Sequence, residues 1–244
     1  MNVREYRHTK DPTCPIVVTL LASTKLEVPR GYFKGRPDQA QGTDAEVVTE
    51  AAGRVCYDSW GKGRSSAEYH EHIRESGHKS VTFHASLTVL IEHISHGCSA
   101  QLNRHKVGCA VSQRSQRYVD ESDTPWVWHP AIRRLAEDNE DVRNALGEHE
   151  ANARMLYGIL VDELSASSTL APLDARKEAR GAARGVLGMA VETEEVFTFS
   201  VEALREFLRQ RDNPHADEEI RQLADILRAV GHAVFGSYVE VSHE

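Results

Sequence analysis

Residues 101–118 read QLNRHKVGCAVSQRSQRY. The stretch holds Arg104, His105, Lys106, Arg114 and Arg117 and no acid, inside a chain of net charge −8. An island of cations in an acidic chain reads as a local anion site, because the field of the whole molecule repels polyanions. Nucleic-acid polymers want broad basic faces, and no aromatic ladder for base stacking accompanies these arginines. One or two small phosphates need only a few clustered donors. Arginine offers forked, bidentate hydrogen bonds, and Ser112 and Ser115 add hydroxyls. Two readings stand at this point: a phosphate-bearing small-molecule site, or a solvated basic loop.

The rest of the chain sets bounds on that site. With 244 residues, 40% apolar and 27% charged, the composition is that of an ordinary globular enzyme able to bury a real core. No apolar run approaches the roughly 18 residues that a membrane span needs. The N-terminal MNVREYRHTKDP has no apolar core of a signal peptide, so a cytoplasmic location is expected. Cys14, Cys56, Cys98 and Cys109 form no CxxC pair and have no histidine at zinc-site spacing, so free thiols and no bound metal are expected. Cys109, within the basic stretch, reads as a nucleophile or as a small packed thiol.

Taken in order, residues 1–12 read as a polar tail and 14–22 (CPIVVTLLA) as a buried strand. Residues 27–42 carry Pro, Gly and charge and read as a loop. Thr43 and Glu46 have capping-box spacing at the start of a helix, with Val47, Val48, Ala51, Ala52 and Val55 as its buried side. A second helix, 66–76, stops at Gly77. Residues 84–91 (HASLTVLI) alternate with the period of a half-buried strand. The basic stretch should then be a helical turn leading into a loop. Trp126 and Trp128 stand in an aromatic loop, 124–130, and 131–164 reads as helical. In a helix over 175–187, Arg176, Arg180 and Arg184 recur at four-residue spacing, as a solvated stripe or a second wall of the anion site. Residues 196–199 form a short strand and 201–211 a helix. A last helix starts at Asn213-Pro214 with Ile220, Leu223, Leu227, Val230 and Val234 as its buried stripe. The class expected is α/β (α+β), with a central mixed sheet flanked by helices in one domain over 13–244.

Several of these local patterns together resemble the flavin-dependent thymidylate synthases. That family carries Arg-His-Arg followed, after seven residues, by a serine and then an Arg-Tyr pair; here Arg104-His105-Lys106 precedes Ser115-Gln116-Arg117-Tyr118. The family's Gly-His-x-Ser-x-x-Glu-His is matched by Gly77-His78-Lys79-Ser80-Val81-Thr82-Phe83-His84. Gln101 stands three before Arg104, Ala183-Arg184-Gly185-Val186-Leu187 resembles Ala-Arg-x-x-Leu-Pro, and Arg211 precedes His215-Ala216 and Ile220-Arg221. Gly53-Arg54-Val55-Cys56-Tyr57 resembles the family's early helix.

The resemblance implies a homotetramer that binds FAD. It would take a methylene from 5,10-methylene-tetrahydrofolate, use NADPH as reductant, and methylate C5 of a uridine monophosphate, with no nucleic-acid or membrane partner. By position, Arg211 is the catalytic group that polarises the pyrimidine. Gln101, Arg104, Gln113, Ser115, Gln116, Arg117 and Arg184 would hold the substrate. His78, Ser80, Arg104, His105, Lys106, Gln113, Ser200, Glu202 and Glu206 would hold the flavin.

The chain departs from the family pattern in several places. Lys106 replaces the third signature arginine, eight residues rather than seven precede Ser115, and Phe83 stands where the family has Glu. Ser200 and Glu206 stand where Asn is common, and Gly188 replaces Pro. These changes fit the diverged branch that methylates UMP as well as dUMP in polyoxin-type antibiotic pathways. A housekeeping dUMP-specific synthase and a non-catalytic flavin- or nucleotide-binding homologue are the alternatives.

Overall fold

A computed structural model describes residues 3–32 and 42–239; part of the loop expected over 27–42 lies outside the described residues. Strands β1 (Glu5–Arg7), β2 (Val17–Ser23), β3 (Ser86–Ser95), β4 (Cys109–Gln113) and β5 (Glu192–Ser200) form one sheet in the order β1-β2-β3-β5-β4. The sheet is antiparallel, not mixed. In β1–β2, Glu5 faces Thr19 and Arg7 faces Val17. Thr88 meets Thr198 and His93 meets Glu192, so β3 and β5 run oppositely. The bonds Ser200 N–Gly108 O and Arg114 N–Glu194 O show the same for β4 and β5. The helical excursion between β3 and β5 returns to the sheet end it left, which forces β5 back alongside β3; a parallel return would need a crossover along the strands. Two elements were not expected: β1 lies inside the polar tail, and β4 lies inside the basic stretch.

The chain forms two compact units, residues 1–91, 103–111 and 196–244, and residues 92–102 and 112–195. The first holds α1 (Asp44–Cys56), α2 (Ser66–Ser76), α7 (Val201–Arg211) and α8 (Glu218–Phe235). Leu87, Val89 and Ile91 are fully buried, as the alternation required. So are Ile220, Leu223, Leu227 and Val230 of α8; each side chain of this kind contributes about 1.5–3 kcal/mol. Helix α8 begins four residues later than expected. Asn213 Oδ1 accepts from His215 N in a turn, and Asp217 is the cap, accepting from Glu219 N at 3.1 Å. Asn and Asp both serve turns and caps, so the pair Asn213-Pro214 marked the turn rather than the helix.

Both capping signals hold. Thr43 and Glu46 form a reciprocal capping box, and α2 ends at Gly77 with φ +66°. The buried side of α1 is only partly the expected one: Val47 is buried, while Val48, Ala51 and Ala52 are half-buried. Val55 is 68% exposed, whereas Glu50 and Arg54 are each 1% exposed. Arg54 Nε donates to Glu50 Oε1 at 2.8 Å, Ser66 Oγ donates to Glu50 Oε2 at 2.9 Å, and the Arg54 Nη groups donate to the carbonyls of Ser59 and Arg64. A buried ion pair is tolerable only when its remaining donors and acceptors are satisfied in this way.

The second unit contains α3 (His96–Leu102), α4 (Pro130–Asp138), α5 (Glu140–Ser167) and α6 (Pro172–Ala183). The single helix expected over 131–164 breaks at Asn139, whose extended backbone and side-chain bond from Val142 N cap α5. Helix α6 ends at Ala183, with a short 3-10 turn over Arg184–Val186. Trp126 lies against Gly188, where an added Cβ would sit 3.0 Å from the ring, so the glycine that replaces the family's proline makes room for the indole. Among the described residues no helix is long and apolar enough to cross a membrane.

Candidate active site

A cavity of about 530 Å³ opens in the first unit, within the range of small-molecule sites. Arg104, His105 and Lys106 come from the turn before β4, and Lys79 and Phe83 from the 3-10 turn Lys79–Phe83. Helix α7 supplies two adjacent rows at four-residue spacing: Glu202, Glu206 and Gln210 line the cavity in one, Ala203 and Arg211 in the other. The lining carries four cations, Lys79, Arg104, Lys106 and Arg211, against two carboxylates. Each carboxylate has its own partner. Glu202 pairs with Lys79 at 2.9 Å and with Arg205 at 3.6 Å. Glu206 is held down to about 2 by hydrogen bonds from Arg209, helped by Gln210 and opposed by burial. Among the described residues, Arg104, Lys106 and Arg211 have no carboxylate within ion-pair distance, so the cavity keeps a positive surplus for phosphates.

Arg211 Nε donates to His105 Nε2 at 3.1 Å, and His105 lies edge-on to Phe207. Burial lowers the His105 pKa, and the Arg211 charge lowers it further. A neutral imidazole therefore accepts from Arg211 at Nε2 and carries its proton on Nδ1. The bond fixes one edge of the guanidinium and leaves its terminal nitrogens for a ligand.

Three of the sequence departures meet beside this cavity. Gly108, in the lengthened loop, has φ +73°, and a Cβ there would lie 2.7 Å from Phe83 Cε1 and in overlap with Ser200 Oγ. Ser200 N donates to Gly108 O at 2.9 Å, and Ser200 Oγ caps α7 by accepting from Ala203 N. The lengthened loop is thus held at Gly108 between the two substituted residues. Gly108→Ala should cost about 2–4 kcal/mol, combining left-handed backbone strain with overpacking. Thermal unfolding and the flavin content of the purified protein check this; a melting temperature and flavin content equal to the parent's would show that the loop yields freely. Cys109, next to it, has its thiol pushed up to about 11 by burial, which removes it as a nucleophile at neutral pH.

Of the other expected flavin contacts, Ser80 lies on the Lys79–Phe83 turn next to the cavity-lining Lys79. His78 lines a smaller adjoining cavity with Lys79, Glu202 and Glu206.

Gln101, Gln113, Ser115, Gln116, Arg117 and Arg184 lie in the second unit. Gln113 Nε2 donates to Ser99 Oγ at 2.8 Å and stands 3.3 Å from His96 Nδ1; Ser99 Oγ donates to the buried Glu195. A carboxylate accepts only, so the Ser99 proton is committed to Glu195 and its oxygen must accept from Gln113. The amide nitrogen of Gln113 is therefore turned inward, and its carbonyl oxygen is the end left for a ligand. Burial, then Arg114 and Arg184, lower the His96 pKa. His96 is thus neutral and a donor at Nε2, which has no partner among the described residues.

Ser115 starts a turn, accepting from Tyr118 N and Val119 N, and the stem of Arg117 lies along Gly181 of α6. Arg114 and Arg180 are structural: Arg114 bonds Thr124 and Glu121, and Arg180 bonds Tyr118 O and Asp120. The stripe Arg176, Arg180, Arg184 is accordingly neither a uniform wall nor wholly solvated. Lys79, Ser99, His96 and Glu195 escaped sequence reasoning. Only Lys79 carried a signal, standing inside the matched Gly-His-x-Ser run.

The family model "Thymidylate synthase complementing protein" matches residues 40–235. A protein of Mycobacterium tuberculosis (strain ATCC 25618 / H37Rv) named "Flavin-dependent thymidylate synthase" is 40% identical over 239 residues, which cover 93% of this chain and 91% of that protein. Proteins of the same name from Mycobacterium marinum (strain ATCC BAA-535 / M) and Mycobacterium sp. (strain JLS) are each 38% identical, with the same shares covered. With its cation-rich cavity and the ordered motifs that line it, the chain belongs to the thymidylate synthase complementing protein family.

Proposed function

We propose that the chain methylates C5 of a uridine monophosphate, with FAD as resident cofactor, 5,10-methylene-tetrahydrofolate as carbon donor and NADPH as reductant. What carries this reading is the cavity in which Arg104, Lys106 and Arg211 keep uncompensated charge beside the apolar surfaces of Phe83, Val107 and Ala203. That donor set suits a flat ring joined to a pyrophosphate. The chemistry that a bound flavin supplies is hydride transfer; the rest is binding and polarisation by the protein. Arg104 and Lys106 hold phosphates. Arg211, oriented by neutral His105, stabilises charge that develops on the pyrimidine carbonyls and N3 as C5 becomes nucleophilic. The family resemblance gives Gln113, Ser115, Gln116, Arg117 and Arg184 of the second unit a part in nucleotide binding, and no thiol takes part.

The finer reading is that UMP is accepted as well as dUMP, as in the antibiotic-pathway branch. It is supported by the joint placement of Phe83, Gly108 and Ser200, which remake one wall and spare the arginines. A dUMP-only thymidylate synthase is the second reading, favoured by the names of the relatives. Purified protein supplied with FAD, NADPH and methylene-tetrahydrofolate should form the 5-methyl product from both nucleotides. Product from dUMP alone overturns the UMP reading, and product from neither overturns the whole. We further propose a cytoplasmic homotetramer with 13–244 as its repeating domain. Met155, Leu156 and Ile159 support this by standing exposed on one arc of α5, the kind of surface a subunit contact covers.

A further inference from the structure

A second cavity, of about 250 Å³, lies in the first unit beside α1 and α2. Lys62, Arg64, His72 and His78 line it, with Tyr57 and Ser59, and no carboxylate is in its lining. Arg54 also reaches it, but its charge is committed to Glu50. The other work of Arg54 is to hold the site's floor. Its two Nη groups bind the carbonyls of Ser59 and Arg64 at 3.0 and 2.9 Å, so the turn that bears Lys62 is tied at both ends. The cations of this turn are therefore presented by an ordered backbone, which lowers the entropy lost on binding.

Among the described residues neither Lys62 nor Arg64 has a carboxylate within ion-pair distance. The nearby Glu68 carboxylate is occupied by Ser65 N and Oγ in the cap of α2. Two further polar atoms, Ser59 Oγ and His78 Nδ1, are buried without a partner among the described residues. The His78 ring stands 5.3 Å from that of Tyr57 and 6.1 Å from that of His72. Two cations with no carboxylate in the same lining, joined there by the imidazoles of His72 and His78, match a small oxyanion.

We propose that this cavity is a second binding site, for an oxyanion carried on the tail of a ligand used in the reaction. His78 connects it to that reaction, since His78 also lines the adjoining cavity with Lys79, Glu202 and Glu206, and these three line the large cavity. The proposal rests on the reading above. Two of the ligands in that reading carry such a tail: the folate has glutamyl carboxylates, and NADPH has a ribose phosphate. The chemistry shared by both is an oxyanion held by Lys62, Arg64, Ser59 and His78.

The test uses the full-length flavin-loaded protein and the variants K62A/R64A and K62E/R64E. Both substitutions leave the Arg64 carbonyl in place for Arg54, and melting curves confirm folding. Titration with inorganic phosphate should shift the His72 and His78 side-chain NMR signals saturably in the parent and not in the variants. In turnover assays the variants should raise KM about tenfold for the ligand whose anion lodges there, with kcat within about twofold. Loss of the preference for polyglutamylated over monoglutamylated folate assigns the carboxylate; loss of the preference for NADPH over NADH assigns the phosphate. Unchanged KM values for all four ligands overturn the proposal, as does the absence of a phosphate-dependent shift in the parent. If no substrate turns over, the reaction assigned above fails, and the phosphate titration alone decides whether the anion site exists.

Discussion

Truncating Arg54 to Ala should destabilise the protein by about 3–5 kcal/mol, the usual cost of leaving a buried charge without its partner. Glu50 would remain 1% exposed, with Ser66 Oγ still donating to it at 2.9 Å but the guanidinium charge gone. Two carbonyls, of Ser59 and Arg64, would lose their donors. Tyr69 would lose the guanidinium that lies 4.3 Å from its ring centre. For a chain of this size the loss corresponds to a fall in melting temperature of roughly 6–20 °C. The double variant Glu50→Gln/Arg54→Met should recover much of it, since it removes both charges and keeps the volume. A single variant within about 0.5 kcal/mol of the parent in denaturant unfolding would mean that water reaches Glu50 freely. The same substitution should loosen the turn 59–64 and with it the second anion site, linking fold stability to ligand binding through one guanidinium.

Arg211→Ala should lower kcat by about 10²–10³, the effect of removing one preorganised donor from developing charge. The argument is geometric. Arg211 shares the large cavity with Arg104 and Lys106, and a neutral His105 accepts a hydrogen bond from its Nε at 3.1 Å. Arg211→Lys keeps the charge but has no planar fork and no Nε to bond His105, so it should restore only part of the rate. Single-turnover measurements with flavin content monitored separate a chemical defect from loss of cofactor. A kcat within about threefold of the parent in the alanine variant would remove Arg211 from the reaction.

The local signals held where one residue's neighbours along the chain decide its state. The Thr43–Glu46 box, the stop at Gly77, the alternation through Leu87, Val89 and Ile91, the bounds of α7 and the stripe of α8 all depend on partners within a few residues. Even there, Asn213 belongs to a turn because turns and caps share its chemistry, and Asn139 caps α5 inside an apparently continuous helical pattern. Of the residues that the motifs single out, Arg104, His105, Lys106, Glu202, Glu206 and Arg211 line one cavity, because phosphate recognition asks for particular residue types at particular spacings.

What the amino-acid order determined by itself is therefore the set of elements and the family's chemical vocabulary: which residues are cations, where helices cap and which strands have a buried face. Only the tertiary structure decided that α1 turns its charged side inward, because the donors and acceptors that make Glu50 and Arg54 tolerable come from residues 59–66, beyond the helix end. Only it showed that Phe83, Gly108 and Ser200 are one feature and not three, and that Gln113 offers its carbonyl and not its amide nitrogen. The reason is the same in each case. Burial and hydrogen-bond polarity depend on which groups meet, and groups far apart in the chain meet only when the backbone has folded.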